Sequence, residues 1–135
     1  FGAKIMYSDP YINNIKDPEI EKIDLHDGIP KADIICVHAS GNKVILSEKE
    51  FKLMKQGVLI CNPARGELID EAALIKAITN NSVSGAWLDT FEVEPYMGEM
   101  LNFDNVICTS HLASYTYECR ENMENIAVDN LINNL

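Results

Sequence analysis

The chain has 135 residues, with 21 acidic side chains against 11 Lys plus Arg and a formal charge of −10 at neutral pH. With 47% hydrophobic and 24% charged residues it can fill the core of one globular domain, which excludes intrinsic disorder. A surface this acidic repels phosphate backbones and carries no Lys/Arg stripe, and no apolar run approaches the roughly 18 residues of a membrane span, so nucleic-acid and membrane partners are not expected.

In chain order, the apolar run 3–7 is bounded by Gly2 and Asp9-Pro10 and is too short for a helix, so it predicts a strand. A weaker strand is predicted at 20–23. Residues 25–31 contain Gly28 and Pro30, which allow at most one helical turn. Residues 32–38 are apolar on successive positions, the pattern of a strand covered on both faces. Ser47 and Glu50 make a capping box for a short helix over 48–54, ended by Gly57. A strand at 58–61 leads into a loop over 62–69. Asp70 then caps a helix over 71–79 whose Ala73, Leu74, Ala77 and Ile78 share one face.

Two more strands are predicted at 83–88 and 105–108, separated by a loop with Asp89, Glu92, Glu94 and Pro95. A long helix over 116–135 carries Met123, Ile126, Ala127, Leu131, Ile132 and Leu135 on one stripe. Strands alternating with crossovers mean a parallel α/β sheet with right-handed connections, a three-layer Rossmann-like domain. Cys36, Cys61, Cys108 and Cys119 show neither C-x-x-C nor metal-ligand spacing. The first three lie in apolar runs, so buried packing thiols in a cytoplasmic protein are the expectation. His26 and His38 have no evident partner and are read as structural.

Ligands of parallel sheets bind beyond the carboxyl ends of the strands, which selects Asp9, His38, residues 62–66, Asp89 and residues 109–111. Any one of these residues is weak evidence, because an Asp after a strand is most often a turn former. An Arg, a Glu and a His on the loops of one sheet are stronger. Together they supply an anion clamp, an orienting carboxylate and a proton shuttle.

Three segments then carry a resemblance: Asn62-Pro63-Ala64-Arg65-Gly66-Glu67-Leu68-Ile69-Asp70-Glu71-Ala72-Ala73-Leu74, Gly85-Ala86-Trp87-Leu88-Asp89-Thr90-Phe91-Glu92-Val93-Glu94-Pro95, and Asn105-Val106-Ile107-Cys108-Thr109-Ser110-His111. In this order they resemble the signatures of the D-isomer-specific 2-hydroxyacid dehydrogenases, the phosphoglycerate, D-lactate, glyoxylate and formate dehydrogenases among them. The resemblance implies Arg65 as the substrate-binding arginine, Glu94 as the catalytic glutamate and His111 as the acid/base. It implies Asp9, Ala39, Pro63, Ala64 and Asp89 on the cofactor, Asp9 at the adenine ribose and Asp89 beside the nicotinamide. The implied cofactor is NAD, since a carboxylate at the ribose repels a 2′-phosphate. The implied reaction is reversible hydride transfer between NADH and a small 2-oxo acid, giving a D-2-hydroxy acid, in a homodimer.

Some family features are absent. No G-x-G-x-x-G follows a first strand, and Phe1 stands where a helix would run into the second strand, so the chain reads as an NAD-binding domain truncated before its second strand, without its substrate domain. By itself it is expected to fold without turning over 2-oxo acids. His38-Ala39-Ser40-Gly41 lacks the usual Pro-Leu, and Ser110 replaces a common Pro. One rival is an NAD-sensing, corepressor-like binding module of the same fold. Another, a receiver-like domain, would need paired acids after the first strand and a Lys after the last, which this chain lacks.

Overall fold

The computed structural model describes residues 2–13 and 15–134; the expectations placed on Phe1 and Leu135 lie outside the described residues. Among the described residues six short strands form, and every pairing is parallel. β1 (Met6–Tyr7) and β2 (Glu21–Lys22) make one two-stranded sheet. β3 (Ile34–Cys36), β4 (Val58–Asn62), β5 (Val83–Leu88) and β6 (Val106–Cys108) lie side by side in a second. Parallel neighbours require crossovers, and the chain supplies them as helices and long loops.

Local chemistry explains the helices. Ser47 starts α2 (Glu48–Phe51) with the predicted capping box, its own backbone N–H donating to Glu50 at 3.0 Å. Asp70 starts α3 (Glu71–Thr79) by accepting the Ala73 N–H at 3.0 Å. The apolar face of α3, Ala73, Leu74, Ala77 and Ile78, is buried and packs on β5. Burying a side chain such as Leu74 stabilises by about 1.5–3 kcal/mol. Ile60, Ala86 and Leu88 from the sheet and Met100 from the loop after β5 complete the core.

The opposite sheet face is open. Ile34, Leu59 and Ile107 are 57%, 42% and 64% exposed, so the run at 32–38 is covered on one face among the described residues, against the expectation of two. α1 (Leu25–Gly28) continues into a 3₁₀ turn at Ile29–Lys31, because Pro30 falls at the start of that turn, where its missing N–H costs nothing. α4 (Tyr117–Asn133) forms from its Thr116 cap, but Met123, Ile126, Leu131 and Ile132 are exposed. An apolar stripe states that a helix has a face to bury, and α4 has no surface to receive it among the described residues. The thiols differ too: all four are free, but Cys36 is exposed and Cys61 and Cys108 are only half-buried.

His26 is not partnerless. Its Nε2 lies 3.1 Å from Oε1 of Glu50, whose other oxygen takes the Ser47 hydroxyl. Burial pushes the Glu50 carboxyl up, but the Ser47 hydroxyl and N–H and then His26 outweigh it and hold it down at about 2.

Candidate active site

β4 ends in Asn62, which is 1% exposed. Its carboxamide nitrogen donates to the Arg65 carbonyl at 2.8 Å and its oxygen accepts the Ala64 N–H at 3.1 Å. One buried side chain thus shapes the whole turn carrying Pro63, Ala64 and Arg65. The next residue, Gly66, lies against the loop after β5, where a Cβ would overlap the Glu92 nitrogen and the Phe91 carbonyl carbon. Only a residue without a side chain permits that approach. The Arg65 turn is therefore pressed onto the loop that leads to Glu94.

Arg65 is exposed, its Nη1 donating to the neighbouring Ala64 carbonyl at 2.6 Å. Among the described residues its guanidinium has no carboxylate partner. In a chain with 21 acidic residues an unpaired guanidinium is available to an incoming anion.

On the β5 loop, Glu94 Oε1 accepts the Phe91 N–H at 3.0 Å and Oε2 lies 3.1 Å from His111 Nδ1. The Phe91 N–H first, and then His111, hold the Glu94 carboxyl below its ordinary range. A carboxylate only accepts, so Nδ1 donates and Nε2 is the nitrogen left to exchange protons. His111 itself adopts a left-handed backbone, φ 57°, and its N–H donates to the Asp89 carbonyl at 2.8 Å.

Asp89, 1% exposed, holds this turn with its carboxylate. Oδ1 accepts the Thr109 hydroxyl at 2.5 Å and the Leu112 N–H at 2.8 Å, and Oδ2 accepts the Ala113 N–H at 2.8 Å. Burial pushes its carboxyl up, but these donors outweigh burial and hold it below the usual value. Thr109 in turn accepts the Trp87 indole N–H at 3.0 Å. Sequence reasoning misses both this network and the Phe91 anchor. The only local signal is that Asp89, Thr109 and His111 all sit at strand ends.

The remaining candidates lie on other strand-end loops and on the Arg65 turn itself. Asp9 follows β1 and its Oδ1 accepts the Tyr11 and Ile12 N–H groups at 2.7 and 3.0 Å, so among the described residues Oδ2 is the oxygen open to another donor. Ala39 is exposed after β3, and Pro63 and Ala64 are half-buried after β4. A cavity of about 560 Å³ opens behind Glu94, between Phe91, Tyr96, Leu101 and Leu112. Arg65 and His111 do not line it. Among the described residues no group of three or more His, Cys, Asp or Glu side chains could hold a metal ion, and no helix is long and apolar enough to cross a membrane.

The sequence profile described as the D-isomer specific 2-hydroxyacid dehydrogenase NAD binding domain matches residues 1–113. The chain belongs to this family. It is 37% identical over 142 residues to a glyoxylate reductase of Thermococcus litoralis, a match covering 98% of the chain and 42% of that protein. The structure of D-2-hydroxyisocaproate dehydrogenase superposes with a TM-score of 0.87 at 30% identity, over 97% of the chain and 45% of that protein. D-lactate dehydrogenase with NAD+ from Lactobacillus jensenii gives 0.86 at 30% identity over the same shares. This family member therefore spans less than half the length of the relatives it matches. Its fold is the Rossmann-like α/β fold of the family's NAD-binding domain, and its described residues suit that cofactor: Asp9 offers Oδ2 at the end of β1 as an acceptor for ribose hydroxyls.

Proposed function

We propose that the protein is an NAD-dependent D-2-hydroxyacid dehydrogenase of the cytoplasm, in which residues 1–135 are part of the NAD-binding domain and a separate substrate domain completes the site. The reading is carried by the Glu94–His111 pair, 3.1 Å apart, with Glu94 on the loop pressed against the turn of Arg65, whose guanidinium has no carboxylate partner among the described residues. A bound nicotinamide would supply or accept the hydride at C2 of the substrate. Arg65 grips the substrate carboxylate and draws electron density from the neighbouring carbonyl. His111 Nε2 gives its proton to the C2 oxygen in reduction and takes one back in oxidation. Glu94 holds Nδ1 and favours the charged imidazolium, while Asp89 keeps the turn in place.

Asp9 receives the ribose hydroxyls and disfavours a 2′-phosphate. Ala39, Pro63 and Ala64 border the cofactor at the ends of β3 and β4. A homodimer through the NAD-binding domain is the proposed assembly, with a small 2-oxo or 2-hydroxy acid as substrate and neither nucleic acid nor membrane as partner. Steady-state kinetics of the complete protein with NADH and a panel of 2-oxo acids test the proposal. Turnover of at least one acid is expected. Tight NADH binding with no turnover of any acid overturns it in favour of an NAD-sensing binding module.

A further inference from the structure

β3 and β4 place two cysteines side by side. Cys36 is the register partner of Cys61, as Ile34 is of Leu59. Partners across a parallel ladder project to the same side of the sheet. Here that is the open side, where Ile34 and Leu59 are 57% and 42% exposed. Both thiols are free, Cys36 exposed and Cys61 half-buried. The other two cysteines are elsewhere: β5 separates Cys108 in β6 from β4, and Cys119 in α4 lies 3.9 Å from the Met123 sulfur.

We propose that Cys36 and Cys61 form a redox site that a hydroperoxide closes into a cross-strand disulfide and a dithiol reductant reopens. Adjacent strands run about 4.8 Å apart, within the roughly 4.4–6.8 Å of Cα separation that a disulfide bridges, but its Cβ atoms prefer about 3.8 Å. Closure therefore draws the ends of β3 and β4 together by about 1 Å. A bond made against that resistance is a labile one, more easily reduced than a relaxed structural disulfide.

Cys36, exposed among the described residues, reacts first. Its thiolate attacks one oxygen of the hydroperoxide, the O–O bond breaks, and an alcohol, or water from hydrogen peroxide, departs with a proton, leaving Cys36 as the sulfenic acid. The Cys61 sulfur then attacks the Cys36 sulfur. The S–S bond forms, the S–O bond breaks, and the hydroxyl leaves as water with the Cys61 proton. Two thiols lose two electrons and two protons, and the hydroperoxide takes both. Burial and the neighbouring Cys36 push the Cys61 thiol up, which leaves Cys36 as the thiol that meets the hydroperoxide first.

The site adjoins two loops of the candidate active site while sharing none of its residues. Val37 N donates to the Cys61 carbonyl at 2.8 Å, and Cys61 directly precedes Asn62, which shapes the Arg65 turn. The pairing of the two thiols follows from the ladder register and is independent of the proposed activity.

Peptide mapping of the full chain tests the pairing. The chain is treated with hydrogen peroxide, alkylated with iodoacetamide, digested without reductant and read by mass spectrometry. One linked species is expected, joining the Cys36 and Cys61 peptides within a single chain, lighter by two hydrogens and returned to two alkylatable thiols by dithiothreitol. Cys108 and Cys119 stay alkylated. In Cys61→Ser, dimedone should trap Cys36 as the sulfenic acid. Alkylation of both Cys36 and Cys61 after peroxide, over-oxidation of Cys36 without a link, or a link to Cys108, to Cys119 or between two chains overturns the proposal. The unsubstituted chain alone yields each of these outcomes, so the test does not depend on the variant folding well.

Discussion

Glu94 holds His111 by its Nδ1 atom at 3.1 Å while its own second oxygen is fixed by the Phe91 N–H at 3.0 Å. The imidazole is therefore oriented by a carboxylate that is itself oriented by backbone. Replacing Glu94 by Gln keeps the shape but removes the charge and allows the wrong tautomer. In the complete protein kcat for 2-oxo acid reduction should fall by roughly 10²- to 10⁴-fold with little change in NADH affinity. Rates within twofold of the parent would remove Glu94 from the proton relay.

Arg65 presents a planar fork with no carboxylate partner among the described residues. Arg65→Lys preserves the charge and loses the two-point grip. The loss of one charge-assisted hydrogen bond, about 1.5–3 kcal/mol, corresponds to roughly 10- to 150-fold in kcat/KM. Comparison of the two proteins on one 2-oxo acid checks this.

Asp9 uses Oδ1 for the Tyr11 and Ile12 N–H groups. Asp9→Asn can keep that turn while removing the charge that disfavours a 2′-phosphate. The preference for NAD over NADP should narrow by about tenfold in the complete protein, read as the ratio of the two dissociation constants.

Gly66 admits the backbone of Phe91 and Glu92 at a distance no Cβ tolerates. Gly66→Ala should therefore lower stability by roughly 1–3 kcal/mol or more, measured by urea unfolding. In the complete protein it should also separate the Arg65 turn from the Glu94 loop and depress kcat/KM. Serine at Gly57, where a Cβ meets nothing within 4 Å although φ is +82°, is a milder control that leaves that contact alone.

Glu50 gives a pH dependence of stability. Its carboxyl lies at about 2 in the folded chain against an ordinary 4.5, so the folded state binds that proton less well than the unfolded one. The contribution is complete above about pH 4.5 and is lost as pH falls toward 2, on the order of 3 kcal/mol. Urea unfolding between pH 6 and pH 3 should show this loss, and Glu50→Gln should flatten it.

Much of the fold is legible in the sequence because it is local. Asp70 with its following apolar stripe predicts α3 to the residue, and Ser47 with Glu50 predicts the start of α2, since caps and periodicity act within one or two turns. Strand-end position likewise selects His111, and the resemblance to the dehydrogenase signatures adds Glu94 as its partner. Non-local relationships are not legible. Nothing within a few residues of His26 points to Glu50, 24 positions away, or ties Asp89 to the turn at 109–113. The apolar stripe of α4 and the continuous run of β3 predict covered surfaces that the described residues leave open, because hydrophobicity reports which surface should be covered without saying what covers it.

Asn62 is followed by Pro63, and this pairing bears on how the site ages. An asparagine side chain deamidates when the backbone nitrogen of the next residue attacks its carboxamide, and proline has no N–H to lose for that attack. The amide that donates to the Arg65 carbonyl at 2.8 Å is thus guarded against slow conversion to a carboxylate. Such a conversion would set an acceptor against an acceptor at a buried position and loosen the one turn that presents the guanidinium. The same proline that stiffens the loop gives it chemical longevity.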